Sequence, residues 1–298
     1  MPKPPSLRLE KEPWRFLCRL LTNAMPVISD HAPAMPPFLK WAGGKRWFVR
    51  SYSHLLPKEF GRYFEPFLGS GAVFFYLAPQ RAILSDKNVD LVTTYNVLKR
   101  NWRGIYRLLE NHHAHHNSDY FYLMREARPA TAVARAARLL YLNRTCWNGL
   151  YRVNQKGEFN VPIGTKSTVV LANDDFAAIS RCLRRATIKA QDFEVTLKLA
   201  VQGDFVFLDP PYSVAHNNNG FVKYNHQLFS WNDQIRLRNA VRQAIARGVK
   251  VLLTNANHDS IRKLYSGIGS HTVVSRASVL AGDATFRRTA QELVICAI

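Results

Sequence analysis

The sequence is poor in cysteine and in acidic residues, and it contains no long apolar run. Its cysteines form no CxxC pair and lie far apart, at Cys18, Cys146, Cys182 and Cys296. This spacing favours neither a zinc site nor a disulfide framework, so we expect a cytoplasmic protein without a metal. No apolar stretch reaches the roughly 18 residues that a membrane span needs. Arg15 and Arg19 interrupt a short apolar segment near the start, which therefore does not resemble a secretory signal.

The shortage of acidic residues leaves a strongly basic chain. Lysine and arginine number 41 against 21 acidic residues, which gives a net charge of +20. The excess is not confined to a tail, because residues 100–189 hold fifteen basic and six acidic residues, whereas residues 1–35 hold five and three. A folded basic surface indicates a polyanionic partner, most often nucleic acid. On charge alone, a chain that is merely soluble and basic is the alternative.

The first 35 residues differ from the rest of the chain. Residues 1–35 contain six prolines, show no periodicity and carry mixed charge, which is typical of a flexible leader. The pattern of a compact domain begins at Phe38, after Met25 and Met35. We therefore expect translation to begin at one of these two methionines rather than at Met1.

From Phe38 onward, short apolar runs alternate with segments of helical spacing. The apolar runs predict strands at 63–66, 81–85, 205–208, 249–253 and 292–297. Helical spacing predicts helices at 72–77, 89–98 and 233–247. Strands that alternate with helices indicate an α/β fold with a mostly parallel, doubly wound sheet.

Residues 101–186 interrupt this alternation. A helix rich in alanine and arginine is predicted at 130–142, and a long structured loop is predicted at 143–164. A helix-and-loop insertion in an α/β core usually selects the substrate. The expected division is a core in two parts, 36–100 and 187–298, with residues 101–186 inserted between them.

The strongest chemical signal is the segment FVFLDPPY at 205–212. A buried strand runs into Asp209, and ligands of open α/β sheets bind beyond the carboxyl ends of strands. An amino group on an aromatic base attacks a methyl sulfonium more readily when two fixed acceptors hold its hydrogens. The Asp209 carboxylate and the Pro210 carbonyl can be these acceptors, and Tyr212 can stack on the base. The sequence therefore predicts these three as catalytic residues.

A glycine turn at 63–75, YFEPFLGSGAVFF, is the second signal. Gly69 and Gly71 lie between a strand and a helix, where small residues let a ligand approach the backbone. The pattern is not GxGxxG, so a dinucleotide is not favoured. Glu65 and Asp86 each end a predicted strand, and an acid in the position of Asp86 commonly binds ribose hydroxyls. The turn and these acids suit a nucleoside cofactor without a pyrophosphate.

The third signal is PFLKWAGGKRWF at 37–48, where a tryptophan, two glycines and two lysines precede the first strand. Trp41 can cover a cofactor, Lys45 can meet its carboxylate and Lys40 can meet DNA. A basic, aromatic surface loop without such a role is the alternative for this segment taken alone.

Together and in this order, the three segments resemble the Dam-type (D12 class) DNA adenine-N6 methyltransferases. The segment LYLNRTCWNGLYRVNQKGEFNVPIG at 140–164 is similar to the family's target-recognition segment, and TNANHD at 254–259 is similar to its later strand-end motif. The resemblance extends from about Phe38 to the end of the sequence. It implies a Rossmann-like S-adenosylmethionine-dependent methyltransferase core with an inserted helical DNA-recognition domain. It also implies methylation of adenine N6 in double-stranded DNA, within GATC, on a base that is flipped out of the duplex.

The resemblance further implies roles for individual positions. The cofactor would contact Trp41, Lys45, Asp86 and Asp209. Bases of the DNA would contact Lys40, Asn148, Leu150, Arg152 and Pro162, and Trp147 would wedge into the opened base pair. No membrane contact, metal or obligate protein partner is implied.

Other interpretations stay open at this point. One is a related amino methyltransferase that acts on cytosine N4, on RNA or on another DNA site. A second is a catalytically silent DNA-binding protein that keeps the fold, although such a protein needs neither the DPPY strip nor Asp86. The dense histidines at 112–116 are interpreted as a solvated helix end rather than as a metal site. The segment 217–220 is either a plain turn or a lid.

Overall fold

The computed structural model describes residues 35–154, 157–213, 229–277 and 289–298. The predicted leader, except for its last residue Met35, and the turn or lid at 217–220 lie outside these residues. The helices are α1 (Arg46–Ser51), α2 (Ala72–Leu77), α3 (Val89–His115), α4 (Ser118–Glu126), α5 (Ala132–Thr145), α6 (Phe176–Leu183), α7 (Phe193–Leu197), α8 (Trp231–Ala246) and α9 (Asp259–Leu264). Single 3₁₀ turns occur at Ser53–Leu55 and Trp147–Gly149. The strands are β1 (Tyr63–Glu65), β2 (Ala82–Asp86), β3 (Ala186–Ala190), β4 (Phe205–Leu208), β5 (Lys250–Ala256), β6 (Ser270–Ala277) and β7 (Thr289–Ala297).

In the described part of the chain, the strands form one seven-stranded sheet in the order β3-β2-β1-β4-β5-β7-β6. Strands β1 to β5 are parallel, and β7 runs antiparallel to both of its neighbours. The mostly parallel sheet that the sequence predicts is therefore confirmed. The strand order reverses between β1 and β4, and ligands of doubly wound folds bind at this switch point. The carboxyl ends of β1, β2, β4 and β5 share one edge of the sheet, which we call the carboxyl edge.

The sequence missed two strands, both at the borders of the sheet. β3 pairs on one side only and exposes most of its side chains, and β6 does the same at the other border. Strands at these positions need no continuous apolar run, so the pattern used for the central strands could not reveal them.

The inserted region is more helical than expected. The helix predicted at 89–98 continues as α3 to His115, with a kink at Asn101, where φ is −144° and ψ is 54°. This kink coincides with the predicted boundary between residues 100 and 101, although the division into domains stays a prediction. The prediction that a loop begins at 143 is wrong by three residues, because α5 continues to Thr145. Beyond it, isolated bridges join Cys146 to Ile163 and Val153 to Phe159.

Two apolar clusters pack on the sheet. One contains Phe64, Val206, Leu208 and Leu253 and packs under α7, α8 and α9. The other joins core and insertion, because Phe38, Tyr95 and Leu98 share it with Leu140 of α5. The insertion is therefore anchored to the core through a continuous apolar contact, which sets its position relative to the carboxyl edge. None of the described helices is long and apolar enough to cross a membrane.

Candidate active site

Asp209 follows the last residue of β4, and its Oδ1 atom is held from two sides. Lys45 Nζ lies 2.7 Å from Oδ1, and Thr254 Oγ1 of β5 donates a hydrogen bond to it at 2.8 Å. Lys45 is only 4% exposed, and its Nζ also donates to the Gly43 carbonyl at 3.0 Å. Among the described residues, no hydrogen bond reaches Oδ2 of Asp209. One oxygen of the carboxylate is thus fixed while the other keeps its acceptor capacity.

A second buried carboxylate faces Lys45 from β7. Glu292 is 1% exposed, and its Oε2 lies 3.4 Å from Lys45 Nζ. Its Oε1 accepts a hydrogen bond from Arg276 Nε of β6 at 2.8 Å. The two cations and the two carboxylates balance in charge. This balance matters because removing one partner of a buried ion pair destabilises the folded protein by about 3–5 kcal/mol.

The pKa values of this cluster follow from burial and mutual attraction. Burial raises the pKa of the Asp209 carboxyl, and the Lys45 ammonium opposes that shift. Burial would lower the pKa of Lys45, but the carboxylates of Asp209 and Glu292 outweigh it and the pKa is raised. Burial of its hydroxyl, together with Glu292 and Asp209, raises the pKa of Tyr212 well above its usual range. Lys45 is therefore the group that most strongly opposes protonation of Asp209.

The glycine turn and Trp41 form the neighbouring part of the site. Asp86, at the end of β2, accepts hydrogen bonds from Gly69 N at 3.1 Å and from Asn88 N at 2.9 Å. Gly69 has a φ of +46°, and a Cβ added there would lie 3.0 Å from Cδ1 of Trp41. The other face of Trp41 stacks on Tyr151 at a centroid distance of 5.0 Å. The missing side chain at Gly69 thus lets the Trp41 ring pack directly on the backbone of the turn.

Glu65 completes the acidic character of this edge. It is buried, and its Oε2 accepts a hydrogen bond from the Tyr63 hydroxyl at 2.8 Å. Burial raises the pKa of Glu65 to about 8, the Tyr63 hydrogen bond opposes this, and the nearby carboxylates of Asp209 and Asp86 add to it. Acids from β1, β2 and β4 thus converge at the switch point. Their joint field favours a cationic ligand, as the nucleoside cofactor of a methyl transfer would be.

The predicted DNA-contacting residues also lie together. Asn143 ties two segments, because it accepts from Lys40 N at 3.0 Å and donates to the Lys40 carbonyl at 2.9 Å and to the Gly149 carbonyl at 3.0 Å. Trp147 N donates to the Pro162 carbonyl at 2.9 Å. The indole of Trp147 is 49% exposed, although large apolar side chains are usually covered.

Three further DNA-contact candidates lie on the same small hairpin. Asn148 is exposed and has a φ of +56°, and Leu150 is half-buried. Arg152 Nε donates to Asn160 Oδ1 at 2.9 Å. The structure therefore brings all six predicted DNA-contacting positions to one surface.

Sequence reasoning missed several residues that shape the site. Thr254 belongs to the strand-end motif TNANHD but has no predicted role. Glu292 is predicted only as part of a strand, although an acid within the apolar run ELVICA is an unusual feature that signals a buried partner. Arg144, in the last turn of α5, forms a buried ion pair with Asp174 at 2.6 Å and donates to the Phe38 carbonyl. It therefore anchors the end of the helix from which the hairpin begins.

The prediction of a solvated helix end at 112–116 is wrong for His112, which is buried, whereas His113 and His115 are exposed. His112 Nδ1 lies 2.7 Å from the Tyr120 hydroxyl, and His116 Nδ1 lies 2.9 Å from the Tyr141 hydroxyl. Burial, together with His115, lowers the pKa of His112 to about 4. Within residues 35–154, 157–213, 229–277 and 289–298, no group of three or more His, Cys, Asp or Glu is arranged to hold a metal ion.

The sheet order and the acids at its switch point define the class of protein, a Rossmann-like methyltransferase. Residues 41–279 match the family model described as D12 class N6 adenine-specific DNA methyltransferase, and the chain belongs to this family. The family resemblance seen in the sequence is thereby confirmed. The enzyme class is adenine-specific DNA methyltransferase, the substrate is DNA, and the family implies S-adenosylmethionine as the methyl donor.

Relatives cover most of the chain. The chain is 38% identical over 258 residues to the Type II methyltransferase M1.LlaDCHI of Lactococcus lactis subsp. cremoris, a match that covers 84% of this chain and 91% of that protein. It is 35% identical over 269 residues to the Type II methyltransferase M.MjaIII of Methanocaldococcus jannaschii, covering 82% and 92%. It is 34% identical over 247 residues to the DNA adenine methylase of Serratia marcescens, covering 81% and 91%.

Proposed function

We propose that the protein methylates N6 of an adenine that is flipped out of duplex DNA, within GATC, by direct in-line transfer. The observation that supports the proposal is the way in which the two oxygens of the Asp209 carboxylate are bound. Lys45 and Thr254 fix its Oδ1, and Oδ2 accepts no hydrogen bond from the described residues. A carboxylate held in this way presents one preorganised acceptor to an incoming amino group.

Two acceptors prepare the amino group for attack. Oδ2 of Asp209 and the carbonyl of Pro210 each accept one N–H, so the nitrogen lone pair is less delocalised into the base. The positive charge that develops on nitrogen is stabilised by the same two oxygens. Tyr212 stacks on the base, and base–aromatic stacking contributes ~1–3 kcal/mol. No strong base is required, because the product ammonium loses its proton readily once transfer is complete.

The residues at the switch point fit a cationic nucleoside cofactor. S-adenosylmethionine supplies an electrophilic methyl group on a sulfonium centre. Trp41 covers the ligand, and Asp86 accepts hydrogen bonds from ribose hydroxyls. Gly69 and Gly71 let Trp41 and the Tyr95 hydroxyl pack closely on the turn that borders the ligand. Glu65, with its pKa raised to about 8, becomes ionised when a positive charge lies beside it.

The role proposed for Lys45 differs from the contact with the cofactor carboxylate that the sequence suggests. The sequence placed it on the cofactor carboxylate, but its ammonium has three donors and they face Gly43, Asp209 and Glu292. We therefore assign Lys45 to the support of Asp209 within the same site.

Target recognition is assigned to the hairpin and the segment bound to it. Arg152 and Asn148 carry donors that can pair with base edges, and Lys40, Leu150 and Pro162 line the same surface. The exposed indole of Trp147 is the wedge that fills the place of the extruded base. GATC is proposed as the recognised site because this segment resembles the family's target-recognition segment.

Base flipping can be tested directly. The fluorophore 2-aminopurine replaces the target adenine in a GATC duplex, and its emission rises when it leaves the base stack. We expect a large rise with the wild-type protein and with Asp209→Ala, and a much smaller rise with Trp147→Ala. A duplex with 2-aminopurine outside GATC is the matched control. An equal signal from both duplexes would contradict the proposed site, and no signal from either would contradict flipping.

A further inference from the structure

A pocket lined by cations lies where α3 kinks. The kink at Asn101 faces the end of α6 across a cavity of about 460 Å³. Four basic side chains line this cavity, and two more arginines flank it in the chain. We call these six residues the basic patch: Lys99, Arg100, Arg103, Arg181, Arg184 and Arg185.

The basic patch lies away from the catalytic residues. Lys99 Nζ donates to the carbonyl of Ala186, the first residue of β3, at 2.6 Å. β3 is parallel to β4, so Ala186 marks the amino edge of the sheet, whereas Asp209 lies at the carboxyl edge. A strand rises ~3.3 Å per residue and neighbours are ~4.8 Å apart, so Lys99 lies on the order of 20 Å from Asp209.

No acid neutralises the basic patch. Among the described residues, none of its six side chains has a carboxylate within 4.0 Å. Elsewhere, Arg62, Arg144 and Arg236 each have an acidic partner. Burial and the charge of Arg100 lower the pKa of Lys99. The cations therefore repel one another in the folded protein, and a bound anion would relieve that repulsion.

Helix dipoles account for some of these cations but not for all. Lys99, Arg100 and Arg184 lie at carboxyl ends of helical segments, where positive charge is favourable. Arg103 instead lies in the first turn after the kink, where the Asn101 side chain caps Gly104 N at 3.1 Å. A cation is unfavourable at that end of a helix. Arg103 stacks over the Trp102 ring at 4.7 Å but has no anionic partner among the described residues, and an anion bound in the pocket would provide one.

We propose that the basic patch binds the phosphate backbone of a duplex segment other than the one held at the carboxyl edge. The family acts on DNA, which makes duplex DNA the polyanion that the protein meets. Cations clustered without acids complement closely spaced phosphates and release their counterions on binding. With two DNA-binding surfaces, the protein passes from one duplex segment to another without first dissociating.

The test compares a patch variant with a charge-matched control. The patch variant is Arg103→Glu/Arg184→Glu, and the control is Lys58→Glu/Arg242→Glu, which reverses two exposed cations elsewhere. Full-length protein is bound to a labelled duplex of about 12 base pairs that lacks GATC, and it is then chased with rising concentrations of the same unlabelled duplex. Dissociation is followed by fluorescence anisotropy, and salt dependence of binding is measured in parallel.

We expect the dissociation rate of the wild type and of the control to rise at least fivefold with competitor concentration. The patch variant should dissociate at one constant rate, and on a longer duplex its salt slope should be less steep by about two. Methyl transfer on a separate, saturating short duplex that contains GATC should be equal in all three proteins. A rate that still rises with competitor in the patch variant would overturn the proposal. So would a control that behaves like the patch variant. Because the duplex used to measure dissociation lacks GATC, a failure of the proposed target site would leave the dissociation measurement unaffected.

Discussion

Replacing Lys45 by methionine tests whether the ion pair between Lys45 and Asp209 supports catalysis. The change keeps the length of the side chain and removes the charge that lies 2.7 Å from Asp209 Oδ1 and 3.4 Å from Glu292 Oε2. Removing one partner of a buried ion pair costs ~3–5 kcal/mol, because the remaining charge has no compensation. Asp209 can avoid that cost by taking up a proton, and a protonated carboxyl is a poorer acceptor for the adenine amino group.

The expected loss in rate follows from this cost. If Asp209 absorbs ~2.7 kcal/mol of it by protonation, kcat on the acid limb of the pH profile falls by up to ~100-fold, since 1.36 kcal/mol corresponds to a factor of ten. The sign of the pH dependence is fixed as well. Without Lys45 the pKa of Asp209 rises, the active ionised form is lost at a higher pH, and the acid limb of the kcat profile moves upward. Activity should therefore recover as the pH is raised.

The assay is a single-turnover methyl transfer measured across pH, with S-adenosylmethionine and DNA both saturating. The double variant Lys45→Met/Glu292→Gln is the matched control, because it removes one charge of each sign. On the acid limb it should recover at least tenfold of the lost rate. Two results would refute the reasoning: an unshifted pH profile, or a variant whose defect is confined to the KM for S-adenosylmethionine. The second would mean that Lys45 binds the cofactor carboxylate instead.

Further predictions concern single contacts of the site. Thr254→Val removes the hydrogen bond to Asp209 Oδ1 and should lower kcat about tenfold with little change in either KM, a loss of ~1.4 kcal/mol in line with a hydrogen bond to a charged group. Gly69→Ala places a Cβ 3.0 Å from Trp41 Cδ1 at a φ of +46°, so calorimetry should show S-adenosylmethionine binding weakened about tenfold, whereas Gly267→Ala, which has a similar left-handed φ of +76° but no atom within 4 Å of the added Cβ, should leave binding unchanged. Since the pKa of Glu65 is raised to about 8, cofactor binding at pH 7 should release close to one proton, detected from the dependence of the binding heat on buffer, and Glu65→Gln should abolish that release. Because Glu65 ionises near 4.5 in the unfolded chain but keeps its proton up to about 8 in the folded one, the stability of the free protein should fall as pH rises from about 4.5 to about 8, and less so in Glu65→Gln.

The central strands were predictable because each is buried on both faces. Phe205–Leu208 is fully buried and forms a continuous apolar run, and the end of that run predicts the position of Asp209 at the carboxyl edge. β3 and β6 lie at the borders of the sheet and alternate or expose their side chains, so they carry no such run. The continuation of α3 beyond Asn101 was missed because the kink breaks the helical spacing there.

The residues of the site were predictable only where they lie within one short segment or at the end of a predicted strand. Asp209, Pro210 and Tyr212 lie within one strip, and Gly69 and Asp86 follow from positions at strand ends. The support of Asp209 is different, because Asp209 and Glu292 are far apart in the chain and the order of β4, β5 and β7 brings them together. Lys45 reaches both carboxylates from the amino end of α1. A pattern of residue types does not encode that order, so the sequence assigned Lys45 to the cofactor and left Glu292 without a role.

The central claim is that this protein methylates adenine N6 in duplex DNA through the Asp209 strip. The most direct measurement incubates the purified protein with unmethylated plasmid and S-adenosylmethionine and then maps modified bases by sequencing, with Asp209→Ala as the matched control. We expect N6-methyladenine at GATC with the wild type and no modification with the variant, which should still bind the plasmid. Modification of adenine outside GATC would contradict the target site alone. Methyl groups on cytosine N4, or no N6-methyladenine at all, would contradict the central claim.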